Sequence, residues 1–168
     1  SLSKDNPKED LRLILLDTYK YDLSQFDNIP HLYIENRYQF KYTFQSLANI
    51  MECRYNLFIE CKVRNLEDCN KVLEENGLKK LERIVLVIND PRGIIKSREQ
   101  DTFDQLVRIW QLGRACGIHT IISTIDTTLN DLPLEITLNM PSKVCFRVNK
   151  AIDTSTLYIE DAYKLKED

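Results

Sequence analysis

Two polar residues that close one strongly apolar segment are the first candidates for chemistry. Residues 84–90 read IVLVIND, so five aliphatic side chains precede Asn89 and Asp90. Such a run is typical of a parallel strand buried on both faces, whose carboxyl end opens into a nucleotide or metal site. In nucleoside-triphosphate motors, two acids at this place organise Mg²⁺ and polarise water. Asn89 stands at the first of these two positions and carries no charge.

A turn cap is the alternative interpretation of Asp90. Pro91 follows it directly, and aspartate is common at the start of such turns. In that case the carboxylate would accept backbone N–H groups and would take no part in chemistry.

The glycine positions show that this sequence contains no P-loop. That loop requires the pattern G-x-x-x-x-G-K-[ST], because glycine amides wrap the phosphates and the lysine neutralises them. The chain has four glycines, and none of them begins this pattern. Gly93 is followed by Lys96 and Ser97, but the second glycine is missing and the spacing is wrong.

The composition predicts one ordinary globular domain. The chain has 168 residues, of which 43% are hydrophobic and 29% charged, which is enough to bury one core. We expect a single domain over residues 1–168, with the charged tail at 162–168 frayed. The net charge of -3 gives no general attraction to nucleic acid.

The sequence also indicates a cytoplasmic chain without a membrane segment. No apolar run approaches the roughly 20 residues that span a bilayer, and the N-terminus SLSKDNPKED is too polar for a signal peptide. The five cysteines form no CxxC pair and only two histidines are present, so we expect no metal site. We interpret the cysteines as reduced, small apolar residues.

The apolar spacing predicts strands that alternate with helices. Strands are expected at 11–16, 84–88, 119–124 and 143–148, a loop at 18–33, and helices at about 37–64, 65–76 and 100–116. Asn65 is placed to cap the second helix and Gly77 to end it. Apolar and polar residues do not alternate along these strands, which indicates burial on both faces. We therefore expect a three-layer α/β domain with a mainly parallel sheet.

Several segments resemble, in order and spacing, the motor domain of the FtsK/SpoIIIE family of double-stranded DNA translocases. They are LRLILLD (11–17) with DLSQF and NIPHL after it, MECRYNLF (51–58), KVRNLEDCN (62–70), IVLVIND, RACGIHTIIST (114–124), NMPSKVCFRV (139–148) and AIDTST (151–156). The resemblance implies a RecA-like P-loop NTPase core, a hexameric ring, and movement of duplex DNA driven by ATP and Mg²⁺. It covers nearly the whole chain.

The start of the chain departs from the family. There, a P-loop strand and helix immediately precede the segment that begins here near Asp5, and that strand lies between the strands that here end at Thr124 and contain Val144. The resemblance therefore implies a RecA-like core that lacks the Walker A strand and helix. Either the two neighbouring strands close up, or another segment or another chain fills the gap.

Three motifs depart from the family at the nucleotide site. Asn89-Asp90 replaces an Asp-Glu pair, Thr124-Ile125 replaces a Thr-Gln sensor, and Ser155 replaces the arginine of a DSRT segment. Together with the missing P-loop, they indicate a degenerate or truncated domain that does not hydrolyse ATP by itself. Asp90 is then a vestigial catalytic residue, and Asn89, Asp90 and Thr124 line the former nucleotide site. No cofactor is expected for this chain.

The expected partners follow from the resemblance alone. Duplex DNA is the family's substrate, although Lys20, Arg37 and Lys41 are too sparse for a stripe that follows phosphates. Arg147 is expected at an interface with a second copy or an intact motor domain, or else it is a solvated strand-end arginine. Two other functions stay open. One is a pseudo-ATPase scaffold for protein partners, as in the related type VII secretion ATPases, and the other is a working ATPase whose P-loop lies upstream on a longer polypeptide.

Overall fold

The structure is a computed structural model that describes residues 9–17, 32–35, 40–96, 100–124 and 134–146. Contacts divide the chain into two compact units, residues 1–123 and 124–168. All the described strands belong to the first unit. The expectation of a single domain over residues 1–168 stays a prediction.

The first unit contains a parallel sheet of four strands among the described residues. They are β1 (Leu11–Asp17), β2 (Leu32–Glu35), β3 (Arg83–Asn89) and β4 (Ile118–Ser123). β3 pairs with β1 and β4, and β2 pairs with β1, which gives the order β2-β1-β3-β4. Leu32 and Tyr33, expected in a loop, belong to β2, and the rest of that loop lies outside the described residues. Parallel pairing requires crossover connections, as the predicted α/β class provides.

Described helices lie between β2 and β3, between β3 and β4, and after β4. The described ones are α1 (Phe40–Cys61), α2 (Leu66–Glu75), α3 (Arg92–Lys96), α4 (Gln100–Leu112) and α5 (Leu134–Asn139). α1 packs against α4 and α2. Its buried residues Phe44, Leu47 and Met51 recur at the predicted steps of three and four. Within the described ranges, no helix has the length and apolar character needed to cross a membrane.

Both faces of β3 are apolar, as predicted for a strand in the middle of a parallel sheet. Ile84, Leu86 and Ile88 are fully buried and alternate along the strand, so they share one face. On the opposite face, Val85 packs with Leu11 and Leu13 in a smaller cluster. Other large, fully buried side chains among the described residues are Leu16, Phe44, Leu47, Met51, Leu106 and Ile109, together with Pro91 and Cys69.

Both ends of α2 form as the sequence predicts. Asn65 has extended backbone, and its side chain accepts the N–H of Asp68 at 2.9 Å, which satisfies one of the open donors of the first turn. Gly77 follows the C-cap residue with φ +70. The N–H of Leu78 donates to the carbonyl of Leu73 at 2.8 Å, as in a Schellman motif.

α4 ends at Leu112, earlier than the predicted end at Cys116. A turn over residues 113–117 replaces the last part of the predicted helix, and the N–H of Ile118 donates to the carbonyl of Gly113 at 2.9 Å. A Cβ on Gly113 would lie 2.5 Å from the Ile109 carbonyl oxygen and 3.0 Å from that of Ile118. The chain leaves the helix here because β4 begins directly against this glycine.

The prediction of a strand at 143–148 is wrong for residues 143–146, whose backbone is irregular. No described strand pairs with them, and a strand forms only where a neighbouring strand supplies ladder bonds. Val144 and Phe146 are 85% and 84% exposed. Arg147 and Val148 lie outside the described residues.

A buried arginine connects α1 to the amino ends of β3 and β4. Arg54 is 6% exposed, and its Nη1 and Nη2 donate to the carbonyls of Cys116 at 2.7 Å and Glu82 at 2.8 Å. Burial lowers the pKa of Arg54. The same turn also receives α2, because the N–H of Leu66 donates to the carbonyl of Ala115 at 2.9 Å. Two helices and two strands therefore meet at this point.

We expect Gly117→Ala to destabilise the protein by about 2 to 4 kcal/mol. Gly117 has φ +78, and an added Cβ would lie 2.3 Å from Cδ2 of Leu66. Gly77→Ala is the matched control, because Gly77 has φ +70 but no described atom within 4 Å of the added Cβ. The free energy of unfolding of Gly77→Ala should fall by about 1 kcal/mol, from backbone strain alone. Urea unfolding followed by circular dichroism measures both variants, and equal losses would contradict the importance of the Leu66 contact.

Candidate functional site

Three polar residues lie side by side where the strands end. The register pairs Asp17 of β1 with Asn89 of β3, and Asn89 with Ser123 of β4. Asp17 is 2% exposed, Asn89 is half-buried and Ser123 is exposed. Because ligands of open α/β sheets bind at the carboxyl ends of the strands, this edge is the candidate site.

Asp90 leaves the end of β3 in a left-handed backbone conformation. Its φ is +58, and its N–H donates to the carbonyl of Ser123 at 2.8 Å. Aspartate adopts this region more readily than most residues, at a cost of about 1 kcal/mol. The bond to β4 fixes Asp90 beside the strand end, where the residue is 7% exposed.

Arg92 contacts both oxygens of the Asp90 carboxylate. Its Nε donates to Oδ1 at 2.7 Å and to Oδ2 at 3.0 Å, and its Nη2 donates to Oδ2. The backbone N–H of Arg92 also donates to Oδ1, at 3.2 Å. This last bond is a turn cap, whereas the guanidinium contacts form a charge-assisted pair. The two side chains are 21% and 10% exposed, so water screens the pair weakly.

Pro91 and α3 determine where Arg92 lies. The ring of Pro91 fixes φ, and the carbonyl of Pro91 accepts the N–H groups of Ile94 at 2.9 Å and Ile95 at 3.0 Å. A single helical segment thus starts immediately after Asp90. Arg92 is held two residues from the carboxylate that it binds.

Cys69 and Cys116 are poorly suited to act as nucleophiles. Burial raises the pKa of Cys69 and of Cys116, which disfavours the reactive thiolates. Burial, followed by the charges of Arg83 and Arg114, lowers the pKa of His119. In the part of the chain that the structure describes, no three His, Cys, Asp or Glu side chains are grouped to hold a metal ion.

Comparison with known proteins identifies the family. A sequence model of the FtsK/SpoIIIE family matches residues 1–100, more than half of the chain. The chain belongs to the FtsK/SpoIIIE family. The DNA translocase FtsK of Helicobacter pylori (strain J99 / ATCC 700824) is 30% identical over 164 residues, which are 96% of this chain and 19% of the relative. The DNA translocase FtsK of Clostridium tetani (strain Massachusetts / E88) is 33% identical over 153 residues, 89% of this chain and 21% of the relative.

The chain therefore spans about a fifth of the length of these FtsK relatives. Among solved structures, the cytoplasmic domain of the Thermomonospora curvata type VII secretion ATPase EccC has a TM-score of 0.78 and 16% identity. The match covers 98% of this chain and 20% of that one. At this identity the likeness concerns the fold alone. The predicted α/β fold of the RecA-like P-loop NTPases, with a parallel sheet, is confirmed.

The structure places part of the predicted FtsK/SpoIIIE site. Asn89 and Asp90 lie at the carboxyl edge of the sheet, as expected. Thr124 is half-buried, comes directly after β4 and is the first residue of the second unit. Arg147 and the substituted positions Ile125 and Ser155 lie outside the described residues. The roles of all these residues stay predictions.

Sequence reasoning did not include Asp17 and Arg92 among the site residues. The signal for Asp17 was present, because LRLILL ends in an acid and neighbouring parallel strands end at the same edge. The signal for Arg92 was weaker. An aspartate that starts a turn binds the N–H two residues later, but the sequence does not say which way the Arg92 side chain turns.

We expect Asp90→Asn to lower the free energy of unfolding by about 1 to 2 kcal/mol. Asparagine keeps the shape, the cap acceptor and the tolerance for positive φ, so the variant removes mainly the charge that binds Arg92. Asp104→Asn is the matched control, since Asp104 is exposed and accepts Nε2 of Gln100 at 2.7 Å. The control should change stability by less than about 0.5 kcal/mol. Denaturant unfolding compares the two, and an unchanged Asp90→Asn variant would contradict a stabilising pair.

Proposed function

We propose that the chain is a DNA translocase domain of the FtsK/SpoIIIE type that does not hydrolyse ATP by itself. The observation that carries the proposal is the Asp90 carboxylate, which is bound by Arg92 at the end of β3. Asn89 beside it supplies an amide where the family has an acid. A site with one neutral ligand and one engaged acid is poorly suited to holding Mg²⁺ and activating water.

The 168 residues of this chain contain no P-loop, which is why the proposal concerns hydrolysis by this chain alone. None of the four glycines begins the phosphate-binding pattern, so the chain has no lysine placed to neutralise the β- and γ-phosphates. ATP and Mg²⁺ belong to the family, and for this chain we expect neither to bind. Asn89, Asp90 and Thr124 are then remnants of the nucleotide site.

The place of β4 at the end of the described sheet supports assembly with another body. Within the described residues β4 pairs on one side with β3. The side chain of Ile121, on one face of this strand, is 48% exposed. In the family, the P-loop strand takes the place next to this strand. We propose that a second copy, or an intact motor domain, covers this side. The proposal of an interface role for Arg147 rests separately on the family resemblance.

Duplex DNA is the proposed partner, and the cytoplasm is the proposed location. The relatives named DNA translocase FtsK support the DNA assignment. The alternative is a pseudo-ATPase scaffold that binds proteins. The exposed apolar side chains Val144 and Phe146 favour it, because such residues are common anchors in protein interfaces.

We expect Mg-ATP to produce no binding heat with this chain in isothermal titration calorimetry. The reason is that a nucleotide would meet neither P-loop amides nor a carboxylate pair. Asn89→Asp restores the first acid of the family pair, yet it should restore no ATP hydrolysis and should change stability little. Micromolar binding by the unmodified chain, or turnover by the variant, would contradict a lost site.

We expect duplex DNA to shift in a native gel with this chain at low salt, and the shift to disappear as salt rises. Phosphate contacts release counterions, so binding weakens by orders of magnitude, about 10³ to 10⁵-fold between 50 and 200 mM salt for a protein with six to ten contacts. Absence of a shift at the lowest salt would favour the scaffold instead.

A further inference from the structure

The guanidinium of Arg92 supplies a positive charge within the candidate site, next to the carboxylate of Asp90. We infer that this guanidinium occupies the Asp90 carboxylate and keeps it from binding Mg²⁺ or activating water. The inference rests on the proposed function, because it gives a physical cause for the missing hydrolysis. It also assigns to Arg92 a role that the family resemblance does not.

The contacts use the acceptor capacity of the carboxylate. A carboxylate offers about four lone-pair sites. Nε of Arg92 donates to both oxygens, Nη2 donates to Oδ2, and the backbone N–H donates to Oδ1. A metal ion or a water molecule that is to be activated would need one of these same lone pairs. Each oxygen of Asp90 already accepts two N–H groups.

The short tether favours Arg92 over a dissolved cation. Arg92 lies two residues from Asp90, with the rigid Pro91 between them, so little chain entropy opposes the contact. A Mg²⁺ ion would lose translational freedom and part of its hydration shell to take the same place. It would also meet a positive charge next to the carboxylate, in a position where the two side chains are mostly buried.

The neighbouring groups show which ligand Arg92 excludes. Asp17 pairs with Asn89 in the register, and Asp90 follows Asn89 in the chain, so two acidic residues are adjacent to Asn89 at this end of the sheet. Oxygen ligands of this kind suit Mg²⁺ and Mn²⁺. Removal of the guanidinium would take the donors Nε and Nη2 away from the two oxygens of Asp90. The guanidinium of Arg92 therefore determines whether the oxygens of Asp90 can bind a cation.

The test is a measurement of Mn²⁺ binding, in which electron paramagnetic resonance reports the concentration of the free ion. Mn²⁺ has the same ligand preference as Mg²⁺ and is directly visible. Arg92→Ala should bind Mn²⁺ about tenfold or more tightly than the unmodified chain. Adding Asp90→Asn to this variant should abolish the gain. Arg92→Lys keeps the charge without the planar fork, so its gain should be smaller.

Arg108→Ala is the matched control. It also removes one positive charge, from an exposed pair in which Nη1 of Arg108 lies 2.9 Å from Oε1 of Glu52. This variant should bind Mn²⁺ no more tightly than the unmodified chain. An equal gain in both variants would trace the effect to net charge, and no gain in Arg92→Ala would overturn the inference.

A measurement on the unmodified chain covers the case in which Arg92→Ala does not fold. In ¹H–¹⁵N spectra, Mn²⁺ should not selectively broaden the amide signals of Asp90 and Arg92. Selective broadening that Asp90→Asn removes would show an available carboxylate and overturn the inference. The calorimetric test with Mg-ATP is separate, because ATP binding by the unmodified chain would refute the proposed function even if Arg92→Ala gained Mn²⁺.

Discussion

The buried guanidinium of Arg54 is the interaction on which the arrangement of helices and strands depends. An arginine inside a protein is costly unless its donors are paired, and here they bind the carbonyls that precede β3 and β4. Those carbonyls lie at strand starts, where backbone groups lack partners within the ladder. One side chain thus satisfies backbone groups of two strands and anchors α1 to both. The amino ends of the strands are fixed, and the parallel register then determines which residues meet at the carboxyl ends.

At those carboxyl ends the chemistry is set by the residues directly after each strand. β3 ends in Asn89, and Asp90 is held by its backbone bond to Ser123. A carboxylate at this place can bind a ligand or a neighbouring residue of the chain. Here the turn at Pro91 brings Arg92 close, and its Nε donates to Oδ1 of Asp90. The properties of the site therefore depend on how this acid is engaged as much as on its residue types. The family explains why a carboxylate stands at this place, and the local turn explains why it is engaged.

The sequence predicted the features that depend on local pattern. The apolar run of β3, the spacing of α1 and the caps of α2 at Asn65 and Gly77 required only neighbouring residues. Features that depend on a distant partner were less predictable. The strand expected at 143–148 does not form over 143–146, because β-pairing is decided by a neighbour that the segment itself does not reveal. α4 stops at Leu112 because β4 starts against Gly113. The contact between Asp90 and Arg92 depends on a side-chain direction that residue types do not specify.

The composition of β4 has a consequence for how the chain behaves in concentrated solution. The strand reads IHTIIS and contains neither lysine nor proline, which are the residues that commonly keep an edge strand from pairing with other molecules. In the described part of the sheet it pairs on one side. Such a strand is a template for intermolecular β-structure, and aggregation competes with specific assembly whenever the edge is uncovered. A native partner on this side would therefore also protect the edge from aggregation. The solubility of the chain would then depend on whether that partner is bound.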